Sequence, residues 1–471
     1  MSNDLVQVTR SGSILVSGDD GIYFDIGQVQ VVIDSYVTGD DGIDIGSNGD
    51  QSSVVISQFG VVTGSGAGGY GIRSYGDDLS LTNNGIISGA AGLHLRGDSA
   101  HVVNNGTISG TESNGAYGIG ILFDDPYNFV ENHGTISGWR YGIQTSSFGD
   151  IGNIVNYGSI AGGSVGIDIT SASSDQNEIY NYGSISGGKQ NIIGHFGISN
   201  NGNNTVIHNE GIITQGIESD GNGAMIRNLG SISDGINVNG ANSTLNNSGT
   251  ITGDVSITDI ETIVRNSGTI DGDLTIDAFG TLYRGQGDGV VTGVIQGGTG
   301  EDSLYGASMD DEISGGDSAD IIHGRQGNDS LFGEEGDDTI KGHLDDDTIE
   351  GNKGVDFLVG GKGDDTLSGG KGDDTIIGGR DDDVLTGDGG DDVFVFKNNS
   401  GYDEITDFTN GTDKIDLSRF AVNVTADLTA ANAILENGAG SMIDLFAIGG
   451  NGIIYVEDMT VAQWNNADFI F

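Results

Sequence analysis

The sequence predicts an all-β protein made of parallel coils: a parallel β-helix, then a parallel β-roll, then a small β-rich C-terminal cap. Three observations predict it. From Gly297 the chain divides without a gap into nonapeptides, the last beginning at Gly387. Before them, an N-x-G-x-I-x-G pattern returns every 19 to 28 residues from Asn83 onward. Finally, of 471 residues only 1 is Pro while 86 are Gly. Such a backbone can give nearly all its N–H groups to continuous ladders and still turn sharply.

The β-helix is assigned to residues 1–296. "NNGIISG" starts at Asn83, "NNGTISG" at Asn104, "NHGTISG" at Asn132, "NYGSIAG" at Asn156 and "NYGSISG" at Asn181. Looser copies start at Asn209, Asn228, Asn247 and Asn266, and degenerate ones at Ser35 and Gln58. Between copies lie a second strand-like piece, such as "GLHL" at Gly92, and a third before the Asn, such as "HVV" at His101. Three short strands per irregular period indicate coils rather than a propeller or sandwich, because loops vary the period without breaking strands. The repeated Asn is expected to stack into a ladder of side-chain amides, with Ile filling the core. Roughly thirteen coils at ~4.8 Å each would span about 60 Å.

The roll is assigned to residues 297–395. All eleven nonapeptides carry Asp at the sixth position: Asp302, Asp311, Asp320, Asp329, Asp338, Asp347, Asp356, Asp365, Asp374, Asp383 and Asp392. All eleven carry Leu, Ile or Phe at the eighth. The first six residues form a glycine-permitted turn, and the next three a short strand with its apolar residue inward. Two nonapeptides make one coil, so each Asp lies over the Asp eighteen residues on. The segment holds 27 acids against 6 bases. Stacked carboxylates at that density repel one another unless a hard cation with six to eight oxygen ligands sits between them. These eleven acids are therefore the candidate calcium ligands, and the segment is expected to be disordered without calcium. Nine eighteen-residue pairings allow about eight or nine ions at most. Met309, Ser318, Asp345 and Asp381 replace the fourth-position glycine. The two Asp replacements either add ligands or strain their turns.

This G-G-x-G-x-D-x-U-x pattern resembles the RTX, or haemolysin-type, calcium-binding repeat over about a hundred residues. Residues 396–471 extend the resemblance. In "GYDEITDFTNGTDKIDL", Asp403, Asp407, Phe408, Gly411, Asp413, Ile415 and Leu417 resemble the segment closing the calcium roll of serralysin-type secreted proteins. The ending "NNADFIF", with Asp468 before three apolar residues, resembles the uncleaved signal of type I secretion substrates. The resemblance implies one-step export of an unfolded chain from a Gram-negative cell and folding in external calcium.

Composition narrows the function further. A formal charge of −52 makes nucleic acid and anionic lipid poor partners. With no cysteine, neither a disulfide framework nor a thiolate metal site exists. No apolar run is long enough for a transmembrane helix, and the N-terminal residues do not read as a secretory signal peptide.

Catalytic motifs are sparse. None of the 7 His forms H-E-x-x-H, which excludes a serralysin-like zinc protease. "GGSVG" around Ser164, "GSGAGG" at Gly64 and "RGD" at Arg96 are coincidences of a Gly-rich chain rather than sites. No catalytic residue and no organic cofactor is assigned. Tyr117, Phe123, Tyr127, Phe129, Trp139, Tyr141 and Phe148 crowd into 32 residues with Asp124, Asp125, His133 and Arg140. Alginate epimerases and polysaccharide lyases combine β-helices with RTX modules, so a sugar-binding groove there competes with plain core filling. "GDDGI" at Gly18 and Gly39 places Asp19 and Asp40 one coil apart, either as a calcium pair or as solvated turn acids.

The expectation is a secreted, calcium-binding structural or adhesive protein that associates with itself as a surface-layer, matrix or fibre subunit. The alternative is an enzyme or non-catalytic binder acting on an extracellular polysaccharide. The terminal coil around "LVQV" and "SILV" has no evident cap in the sequence, so self-association is expected through it.

Overall fold

The computed structural model describes the chain except residues 1–4, 9–13, 16–19, 67, 114–115, 147–150, 171–176, 189–194, 278–280, 421 and 423–424. Phe148 and Asp19 lie outside the described residues, as does the side chain of Tyr117. The chain forms two compact units, Met1–Asp254 and Val255–Phe471.

In the first unit each coil contributes one strand to each of three parallel sheets. Ser80–Asn83 pairs with His101–Asn104 in the first sheet. Ile86–Gly89 pairs with Thr107–Gly110 in the second, and Ala91–Leu95 with Ile119–Phe123 in the third. Register is set by the apolar residue that each strand turns inward. Leu81, Val102, Val130 and Ile154 stack fully buried in the first sheet, and Ile87, Ile108, Ile136 and Ile160 in the second. Pro126 falls in the loop between Ile119–Phe123 and Asn128–Asn132, where no ladder needs its missing N–H.

The corner between the first and second sheets explains the N-x-G repeat. Asn83, Asn104, Asn132, Asn156, Asn181, Asn209, Asn228 and Asn247 are buried, and each Nδ2 donates to the next Oδ1 at 2.8 Å. The glycine two residues on turns the corner so tightly that a Cβ would run into the carbonyl of the equivalent glycine one coil back. The expected amide ladder is thus present.

The third sheet departs from simple alternation. Ala91–Leu95, Ile119–Phe123 and Val165–Ile169 are buried at every position, whereas Tyr141–Thr145 and Ile236–Val238 keep half-buried or exposed positions.

The second unit opens with coils of the same three-strand kind, for example Ile263–Asn266, Thr269–Asp271 and Leu274–Ile276. One of its three faces ends at Val290–Val291, and from Val294–Gly298 onward the strands alternate between two faces only. Glu312–Asp317 pairs with Ser330–Glu335 on one face, and Ile321–Arg325 with Thr339–Leu344 on the other. The eighth-position residues from Leu304 to Phe394 are all fully buried between the faces. This is the two-nonapeptide coil expected of a roll.

The tail continues both faces. Gly401–Ile405 pairs with Val384–Gly389 and with Gly452–Val456, and Lys414–Asp416 pairs with Val393–Val395 and with Phe469–Ile470. A three-stranded antiparallel piece and one short helix, Thr425–Ala430, complete it. Among the described residues no helix is long and apolar enough to cross a membrane.

Candidate metal centre

The sixth-position acids form two ladders inside the turns, one at each edge of the roll. In the first, Asp302, Asp320, Asp338, Asp356, Asp374 and Asp392 each donate a backbone N–H to the next carboxylate, and Asp413 receives the last bond. In the second, Asp311, Asp329, Asp347, Asp365 and Asp383 do the same, ending on Asp403. All nine eighteen-residue pairings expected from the sequence are present, at 2.7 to 2.9 Å. These acids are at most 4% exposed.

Each receiving carboxylate uses only Oδ1 in this way, and Asp302, which starts its ladder, uses neither oxygen. Oδ2 of Asp302, Asp320, Asp329, Asp338, Asp347, Asp356, Asp365, Asp374, Asp383 and Asp392 is buried with no hydrogen-bond partner among the described residues. Such an atom costs free energy unless something else satisfies it. Asp311 differs, because its Oδ2 accepts the Ala307 N–H at 2.7 Å.

The first-position glycine makes room for the free oxygen. A Cβ on Gly360 would collide with Asp365 Oδ2 and with the carbonyl oxygen of Gly378, one coil on. Carboxylate and turn carbonyl therefore converge on one small space between successive coils. That is the oxygen-only donor set a hard divalent cation selects.

Burial, reinforced by the neighbouring carboxylates, raises the pKa values far above the ordinary 3.8. Asp302, Asp329, Asp365 and Asp383 are pushed up to about 8, and Asp320, Asp347, Asp356 and Asp392 to about 7. With no cation the folded roll prefers these groups neutral, which is the electrostatic form of the repulsion read from the sequence.

Two features of the turns are absent from the sequence reading. The fifth-position acids are exposed, yet they form a ladder of opposite polarity. Asp364 accepts from Asp382 N–H, and Asp346 accepts from Asp364 N–H. The fourth-position replacements Ser318, Asp345 and Asp381 take left-handed backbone conformations. Asp345 also accepts the Gly327 N–H, so its side chain ties one turn to the previous one.

Elsewhere the candidates separate. Phe123 is a fully buried core residue, whereas Tyr127 and Trp139 are exposed. Asp124 follows the third sheet and bonds His94 Nε2 at 2.8 Å, with Arg96 Nε at 3.2 Å. His133 stands at the corner between the first and second sheets, bonded to Glu131 and stacked on Tyr157 at 4.9 Å. The acids and His133 thus do not share a groove. In the "GDDGI" turns the second acids cluster, Asp20 and Asp41 with Asp44, and Arg73 pairs with Asp41 and Asp44 at 2.8 Å. Ser164 is buried in a turn between parallel strands.

Comparison with known families gives one result. Residues 296–331, 323–358, 332–367 and 359–394 match the RTX calcium-binding nonapeptide repeat, in 4 copies. No curated protein matches the chain. RTX repeats bind calcium ions. The chain is an all-β parallel solenoid that carries RTX calcium-binding nonapeptide repeats in its C-terminal part.

Proposed function

We propose that the protein is an extracellular structural or adhesive component whose roll folds around calcium outside the cell. The observation that carries this reading is the pair of carboxylate ladders with a free buried oxygen on nearly every rung. Asp302, Asp320, Asp329, Asp338, Asp347, Asp356, Asp365, Asp374, Asp383 and Asp392 supply the free carboxylate oxygens, and the turn carbonyls the remaining oxygens. Bound calcium supplies positive charge between coils, which offsets the carboxylate repulsion. Residues 1–296, 297–395 and 396–471 then act as β-helix, calcium roll and export cap, with the type I-like ending directing secretion.

Self-association is supported by the outer face of the second sheet. From Tyr36–Gly39 to Thr250–Thr252 its strands carry no Asp, Glu, Lys, Arg or His. Chains of charge −52 can approach closely only across such a face. Sedimentation velocity in millimolar calcium tests it. Association is expected for the native chain and lost on Ser109→Asp with Ser137→Asp, and a native monomer at tens of micromolar would remove the assembly reading.

A second reading, a non-catalytic polysaccharide binder, is favoured by one feature. Tyr70, His94, Arg96, Leu122, Asp124 and Gln144 line a groove of about 540 Å³ on the third sheet. Calorimetry with neutral hexasaccharides, native chain against Tyr70→Ala, tests it: the same heats from both proteins would rule out this groove.

A further inference from the structure

The thirteen rungs of the two ladders fall into two classes, and one backbone position separates them. In eleven rungs Oδ2 is buried and unpartnered: the ten named above, and Asp403 in the tail. In two it is taken by a backbone N–H, Ala307 to Asp311 and Thr409 to Asp413. Counted from each Asp as sixth, those donors are the second residues of their turns.

In every open rung the second residue has a left-handed backbone. It is Gly298, Gly316, Gly361, Gly370 or Gly379, or one of the side-chain-bearing residues Arg325, Glu334, His343, Asn352 and Asp388, and before Asp403 it is Asn399 at φ 67°. Ala307 and Thr409 are not left-handed. Where the second residue is left-handed its N–H makes no bond to the carboxylate, and in the two turns where it is not, that N–H closes the rung. The second residue thus decides whether an oxygen is left for a cation.

By this criterion we infer that Asn398–Thr406, "NNSGYDEIT", is a twelfth calcium half-turn lying beyond the matched repeats, and that Asp403 with Ser400 holds a cation there. Asn398 and Asn399 stand where the pattern has glycine. Gly401 keeps the fourth position at φ 94°, Asp403 the sixth, and Ile405 the eighth, fully buried. Asp403 is 2% exposed and its Oδ1 accepts the Asp383 N–H at 3.2 Å, across 20 residues instead of 18. The Ser400 hydroxyl, also 2% exposed, is a second buried oxygen that faces the Asp403 carboxylate. Asp403 lies on the strand that joins Val384–Gly389 to Gly452–Val456. A cation here therefore fastens the tail to the last turn of the roll. Asp311 and Asp413, already closed, hold none.

The inference rests on the calcium reading above, and one experiment separates the two. Native mass spectrometry of the full chain in calcium counts bound ions for the native protein, Asp403→Asn, Asp311→Asn and Asp413→Asn. One ion fewer in Asp403→Asn, with no ion lost in the other two, is the expected result. An unchanged count in Asp403→Asn, or an ion lost from Asp311→Asn or Asp413→Asn, overturns the inference while leaving calcium binding by the repeats intact. A native chain with no bound calcium overturns the calcium reading itself. Should Asp403→Asn lose its strand signal, Ser400→Ala decides: binding of the last ion weakened at least threefold supports the site, and unchanged binding removes it.

Discussion

Replacing Asp365 by Ala, with Asp364→Ala as its neighbour control, isolates the cation contact. Each carboxylate accepts one inter-coil N–H bond at 2.9 Å, Asp365 from Asp347 and Asp364 from Asp382. The hydrogen-bond count therefore cancels, and burial remains. Asp365 is 1% exposed and offers a free Oδ2, whereas Asp364 is exposed. Loss of Asp365 leaves the Asp347 N–H unsatisfied, at about 1–3 kcal/mol, and removes a charge-assisted contact of about 1.5–3 kcal/mol. Water replaces Asp364, so that change costs below about 1 kcal/mol. With one ion for each of the nine eighteen-residue pairings, the combined effect of about 2.5–6 kcal/mol on the calcium midpoint is divided by about nine. The midpoint by circular dichroism should rise about twofold for Asp365→Ala and less than about 1.2-fold for Asp364→Ala. The ion count should fall by one only in the first. Equal midpoints and equal counts would show that the cation does not use the sixth position.

Without calcium, stability should depend on pH in an unusual direction. The ladder acids reach about 6 to 8 in the folded state against an ordinary 3.8, so folded chains hold more protons between those limits. Stability then rises as pH falls below about 8 and is lost as pH rises through 6–8; a calcium-free strand signal no larger at pH 5 than at pH 8 would contradict this. Asn156→Ala removes an amide that accepts from Asn132 and donates to Asn181, and should cost about 2–4 kcal/mol in thermal or denaturant unfolding with or without calcium. Exposed Asn105→Ala should cost under about 1 kcal/mol, and similar losses for both would remove the ladder argument. Deleting Asp468–Phe471 should block export and also loosen the tail, since Asp468 accepts the Asn465 N–H and Phe469 packs on Trp464. Normal amounts of the truncated protein in the medium would remove the export reading.

The parts of the fold legible in the sequence are those where a strict period meets a single physical need. Nine-residue spacing with one Asp and one apolar residue leads directly to stacked carboxylates and a two-faced core. N-x-G leads to the amide ladder, because amides stack at the strand spacing. The parts not legible depend on atoms set by three-dimensional closure. Asp403 reads in the sequence as part of a closing segment and not as a rung, because two extra residues shift its turn out of phase and asparagines replace its glycines. Asp311 looked identical to its neighbours until Ala307 was seen to turn its N–H inward. The Asp20, Asp41 and Asp44 cluster depends on Arg73, a residue of a later coil at no fixed spacing. The strands of the third sheet that are buried at every position have no signature at all, since alternation describes only a strand with one wet side.

The amide ladder and the carboxylate ladders tie successive coils by different chemistry, and this has a mechanical consequence. Pulling a coil away in the first unit breaks neutral amide contacts whose strength is indifferent to the ions outside. Pulling a coil away from the roll opens a seam of carboxylates that at neutral pH a divalent ion closes. Stretched as a tether, the protein has one portion of constant stiffness and another that the surrounding calcium hardens or releases. Such a molecule yields first in its roll when calcium is scarce, and the β-helix remains as the part that keeps its shape.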